Sequence, residues 1–145
     1  RGEWVVMVGD RIAISEEGDR VAWVPFLGEL APFPVGPYIL ASLLKCPTYL
    51  LFSLRHGDRH QVHFQKFADC VVLPRQNRAG ALESYVRSFA RALENHTKLA
   101  PLQWFNFFDF WRPAGLVPPT ADEKDQRFDG ERSPMTETAQ RVDTP

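Results

Sequence analysis

The stretch that most constrains this chain is residues 24–42, VPFLGELAPFPVGPYILAS, where Pro32, Pro34 and Pro37 crowd together. Proline fixes φ and removes a backbone donor, while glycine, here Gly28 and Gly36, lets backbone pass where a side chain would not fit. Such a composition makes a poor regular element and predicts a stiff loop. The apolar run before it, residues 21–26, reads as a buried strand. Residues 38–45 after it read as a short helix, with Pro37 near the first turn, where a missing N–H costs nothing. A strand–loop–helix unit presents backbone donors at the helix start, where α/β proteins hold anionic or carbonyl-bearing ligands. The structural alternative is a loop that covers a sheet edge.

Upstream, residues 4–8 (WVVMV) form a continuous apolar run suited to a strand buried on both faces. It stops at Gly9-Asp10-Arg11, which sets a guanidinium beside a carboxylate at the strand end, either as an anion-seeking pair or as a solvated ion pair in a turn. Residues 12–15 read as a short extended piece and residues 16–19 as a polar turn. Downstream, residues 48–55 and 60–67 flank the turn signal His56-Gly57-Asp58-Arg59 and predict an antiparallel hairpin with a half-exposed second strand. Residues 69–73 are a short apolar run ended by Pro74. Residues 81–98 carry Leu82, Tyr85, Val86, Phe89 and Leu93 at helical spacing, with Glu83 and Arg87 paired four apart. That helix is expected to cover one face of the sheet. The fold class expected is α/β, a mixed β-sheet flanked by helices.

Charge and cysteine content bound the function. Residues 113–145 hold seven acidic and four basic side chains, a net −3; with 18 acidic and 17 basic in all, residues 1–112 carry 13 basic and 11 acidic, a net +2. Neither part has the basic cluster of a nucleic-acid surface. Cys46 and Cys70 are isolated, without metal-ligand spacing, and read as free thiols in a reducing compartment. His56, His60 and His63 cluster around the hairpin without further ligands and read as solvated decoration. His96 suits the C-terminal end of a helix dipole. No G-x-S-x-G elbow, P-loop or G-x-G-x-x-G occurs.

The run LQWFNFFDFWR at residues 102–112 is the most unusual by composition. Aromatics that dense either pack inside or face something apolar. The two readings are burial against the sheet and contact with an acyl chain or membrane interface. Residues 113–145 are polar and proline-containing without apolar periodicity, and read as a disordered tail.

Taken in order, Gly9-Asp10-Arg11, Pro25-Phe26-Leu27-Gly28, Ala31-Pro32-Phe33-Pro34-Val35-Gly36-Pro37 with Leu40-Ala41-Ser42, and the closing Gln103-Trp104-Phe105-Asn106-Phe107-Phe108-Asp109-Phe110-Trp111 carry a family likeness. Residues 1–112 resemble the C-terminal half of the lipid A late acyltransferases, within the lysophospholipid acyltransferase superfamily. The resemblance implies transfer of a fatty acyl group from an acyl carrier protein or coenzyme A thioester to a hydroxyl of a lipid or glycan acceptor. It implies work at the cytoplasmic face of the inner membrane, no cofactor and no nucleic acid. By the same resemblance Arg11 would stabilise a phosphate or developing oxyanion with Asp10 holding it, and Gly28 and Gly36 would let substrate approach the backbone. Phe26 and Pro34 belong to the same substrate-binding set, and the role of Glu29 stays open. The family's catalytic H-x-x-x-x-D/E is missing: Gln61, Gln65, Ala68 and Pro101 stand where the carboxylate would follow His56, His60, His63 and His96. The dyad is therefore expected in a preceding part, with this chain inactive alone. Arg11 and the proline-stiffened bend are expected to form one cradle. A non-catalytic lipid-binding or interaction module on the same scaffold is the alternative.

Overall fold

The computed structural model describes residues 2–12 and 20–120. Its regular elements are strands β1 (Val21–Phe26) and β2 (Glu29–Pro34), helix α1 (Gly36–Leu44), strands β3 (Thr48–His56) and β4 (Arg59–Ala68), and helix α2 (Arg78–Leu99). Short 3-10 turns at Arg75–Asn77 and Pro101–Gln103 flank α2. This is a mixed α/β arrangement, but not one sheet: β1–β2 and β3–β4 are two separate two-stranded antiparallel sheets.

The proline-rich stretch folds as a hairpin and not as the expected loop. The register pairs Val21 with Pro34, Trp23 with Pro32 and Pro25 with Leu30, so all three prolines fall in one alternating set. In an antiparallel pair that set directs its N–H groups away from the partner strand, and a missing donor costs the ladder nothing. The other set is Ala22, Val24, Phe26, Glu29, Ala31 and Phe33; Glu29 beside the turn is exposed, while Val24, Phe26, Ala31 and Phe33 turn inward and are fully buried. Leu27 (φ 51) and Gly28 (φ 93) make the two-residue connection, which needs positive φ at both positions. The N–H of Leu27 donates to Glu94 Oε2 on α2 at 3.1 Å.

Helix α1 begins one residue after Val35, carries Pro37 in its first turn as expected, and ends at Lys45 (φ 51), whose N–H donates to the Ala41 carbonyl at 3.0 Å. The expected second hairpin is present. Leu50 and Leu54 point inward with Phe52, which stacks on His96 (centroids 4.1 Å) and Phe89 (6.3 Å). The opposite face of β3–β4 leaves Leu51, Val62 and Phe64 more than half exposed. Helix α2 buries Val86, Ala90, Leu93 and Thr97, a stripe at i, i+4, i+7 and i+11, and lies chiefly on β1. The expected Glu83–Arg87 ion pair forms on it. Val71 anchors the otherwise irregular residues 69–73 in the core.

Residues 4–8 depart from expectation: they are not a strand, and Trp4 is 77% and Val6 90% exposed. An apolar run of this kind is buried on both faces only with strands or helices around it, and among the described residues no strand pairs with it. Residues 13–19, which include most of the expected extended piece and polar turn, lie outside the described residues, as do residues 121–145. Residues 113–120 hold no helix or strand.

Candidate functional site

The aromatic run, residues 102–112, divides by position. Phe110 is fully buried and meets Phe33 (5.3 Å), Phe26 (5.6 Å), Trp104 (5.0 Å) and Trp111 (5.6 Å) ring to ring. Trp104 and Trp111 also close on Phe26, and Trp111 Nε1 donates to the Phe26 carbonyl at 3.3 Å. By contrast Phe105 (64%), Phe107 (91%) and Phe108 (49%) face outward. The run therefore divides: one subset packs in the core, as the burial reading expects, and another forms an exposed apolar rim.

Three polar residues spaced by three set that division. The Gln103 amide clasps the backbone of Arg55, accepting from its N–H at 2.6 Å and donating to its carbonyl at 2.9 Å. Asn106 Oδ1 accepts from Arg11 Nη1 at 2.9 Å, and its Nδ2 is buried without a partner. Asp109 Oδ1 accepts the Arg112 N–H at 3.0 Å. Polar groups at every third position inside an aromatic run are visible in the sequence, and they mark where the run is tied down.

Arg11 is the cation of this region. Its Nη2 donates to the Phe105 carbonyl at 2.7 Å, Nη1 lies 3.5 Å from Asp10 Oδ2, and the guanidinium carbon sits 5.5 Å from the Phe108 ring centroid. Asp10 is itself oriented by Trp104, whose Nε1 donates to Oδ2 at 3.0 Å. Asp10 thus pairs with Arg11, together with Asn106 and a main-chain carbonyl. A guanidinium has five N–H donors; two are in hydrogen bonds among the described residues, and the side chain is 41% exposed. Gly9 is required beside it, because a Cβ there would stand 2.6 Å from Phe89 Cζ.

The other expected site residues lie elsewhere. Phe26 is fully buried and supports the aromatic cluster from within. Gly28 sits at the hairpin tip, while Pro34 and Gly36 sit at its far end, about 20 Å away at the usual strand rise. Gly28 earns its place by φ, and neither it nor Gly36 has an atom within 4 Å of an added Cβ. No hydrogen bond, ion pair or ring contact among the described residues joins Arg11 to the Leu27–Gly28 bend; the two connect through Trp104 and Phe26. The single cradle expected from the sequence is therefore two places. The second is an open cleft of about 400 Å³ lined by Leu27, Glu29, Asp109, Trp111 and Arg112. Another, of about 250 Å³, lies between Pro25 and the α2 residues Arg87, Arg91, Glu94 and Asn95.

Of the hairpin histidines, His56 and His60 are exposed, as expected, whereas His63 is partly buried. His63 packs edge-on against His96 (centroids 4.9 Å) with its Nε2 buried and unpartnered, and His96 Nδ1 lies 2.7 Å from the Ala92 carbonyl. Neither has a carboxylate partner among the described residues. Cys46 and Cys70 are free thiols, and no three His, Cys, Asp or Glu side chains converge among the described residues. No helix among them is long and apolar enough to cross a membrane. Compared with known proteins, the chain matches no family model, no curated protein and no solved structure.

Proposed function

We propose that this chain is the substrate-binding portion of an acyltransferase that moves a fatty acyl group from a carrier-protein or coenzyme A thioester to a hydroxyl of a lipid or glycan acceptor. The observation that carries the reading is the convergence of two sequence blocks more than ninety residues apart: Asp10-Arg11 and the aromatic run are joined by Arg11–Asn106, Arg11–Phe105 and Trp104–Asp10. The joint sets a partly exposed cation next to an exposed apolar rim. That pairing suits an amphiphile whose charged end meets Arg11 and whose chain, or the inner-membrane surface it comes from, meets Phe105, Phe107 and Phe108. Acyl transfer builds negative charge on the carbonyl oxygen, and a preoriented guanidinium lowers that barrier. The base that deprotonates the acceptor would be a His–carboxylate dyad contributed from outside these residues.

Intrinsic fluorescence of the 145-residue chain, titrated with palmitoyl coenzyme A, tests the binding half of this proposal. Arg11→Gln is expected to weaken binding by about 10–100-fold, the range for losing one charged hydrogen bond, with hydrolysis of the thioester undetectable in both proteins. Absence of any binding by the wild-type chain would remove the substrate-binding role. Thioester turnover by the chain alone would instead refute the external dyad. The non-catalytic alternative is favoured by the same missing carboxylate, and it predicts vesicle binding with no selectivity for the thioester.

A further inference from the structure

Residues 4–8 are the least explained part of the molecule. Five consecutive apolar side chains lie on the surface, and no backbone–backbone hydrogen bond joins them to another described element. Trp4 leans on Tyr49 and Phe64 (centroids 6.2 and 6.4 Å), which makes the segment continuous with the exposed face of β3–β4. Taken with Leu51, Val62 and Phe64, the exposed fractions of residues 4–8 amount to roughly 1,000 Å², above the few hundred of a typical largest patch on a monomer and enough for the roughly 800 Å² each partner contributes to a stable interface.

We propose that a second copy of this chain covers this surface, with residues 4–8 of the two copies pairing antiparallel across a twofold axis. The unpaired main-chain donors and acceptors then satisfy one another, as on any free strand edge that meets a partner. Antiparallel self-pairing is the arrangement in which one segment is its own complement under twofold symmetry. Residues 4–8 carry no charge, so the pairing opposes no like charges. Val6, the most exposed of the five, falls at the centre of the pair. The association is separate from the Arg11 site and stands or falls independently of the proposed acyl chemistry.

Sedimentation velocity of the 145-residue chain, up to about 100 µM, should give a dimer. Val6→Lys should weaken its association by about 100-fold or more, because the pair would have to bury two unpaired ammonium groups. At concentrations where both proteins are monomeric, their thermal melts should coincide, since Val6 is 90% exposed. Hydrogen exchange of the wild-type amides at residues 4–8 should slow as concentration rises. A wild-type monomer at the top concentration overturns the proposal. So does a dimer indifferent to Val6→Lys, or exchange at residues 4–8 that ignores concentration.

Discussion

Replacing Phe110 and Phe107 in parallel separates the two halves of the aromatic run quantitatively. Phe110 is 1% exposed and touches four aromatic rings besides Phe108, whereas Phe107 is 91% exposed and meets only Phe105. Truncating a buried phenyl to alanine withdraws roughly 150 Å² of apolar surface, worth about 4 kcal/mol at 25 cal/mol per Å². That lies inside the range of about 3–5 kcal/mol measured for Phe→Ala in cores, where the cavity left behind adds to the loss. For a folded body of about a hundred residues the change corresponds to a fall in Tm of roughly 15–30 °C. Phe107→Ala loses only a contact between two exposed rings and is expected to change stability by less than about 0.5 kcal/mol. Urea unfolding followed by tryptophan fluorescence reports both, because Trp104 and Trp111 bracket Phe110. Should Phe110→Ala leave no folded protein, Phe110→Leu at about 1–2 kcal/mol supplies the measurement. Equal costs at positions 107 and 110 would refute the division of the run into core and rim.

Gly9→Ala drives a methyl into the Phe89 ring, itself held between Phe33 and Phe52, and should cost about 1–3 kcal/mol in chemical denaturation. Relief by a simultaneous Phe89→Leu would confirm the cause. Gly28→Ala, at φ 93, should lose about 1 kcal/mol or more, while Gly36→Ala, with open space and no positive φ, should be neutral or slightly stabilising. Thermal melts of the two proteins separate a conformational need from a need for close approach. Glu94 is held below the usual carboxylate range by Lys98 and by the Leu27 N–H. Its folded form therefore favours the carboxylate, so its contribution is present at neutral pH and is lost as pH falls through and below that range. Stability measured against pH should decline less steeply on the acid side in Glu94→Ala than in the wild type.

Elements with one dominant periodicity were legible in the sequence. Residues 81–98 show a single helical face, and α2 spans Arg78–Leu99. The second hairpin's turn signal lies between strands that end within a residue of where alternation places them. Strand β2 was hidden because proline in a strand argues against the strand unless its register is known. Pro32 and Pro34 are two apart, so both lie on one face, and the pairing puts that face where donors are idle. Trp4 to Val8 read as interior because sequence pattern reports what a segment could bury and not whether a neighbour is there to bury it. Within the site, Asp10 and Arg11 stood out in the sequence; the three-residue spacing of Gln103, Asn106 and Asp109 was equally visible, but the aromatic content of the run drew the reading to its rings and not to what those polar groups tie down. The two glycines were assigned to one cradle through the family resemblance; the hairpin separates them, because it places Gly28 at its tip and Gly36 just beyond its open end.

The bonds from Arg11 to Asn106 and to the Phe105 carbonyl reach into the same few residues that hold the outward rings. A molecule drawing the guanidinium toward itself would slacken both tethers and free those rings to tilt. Under the proposed function, occupying the charge would thus loosen the apolar lip beside it.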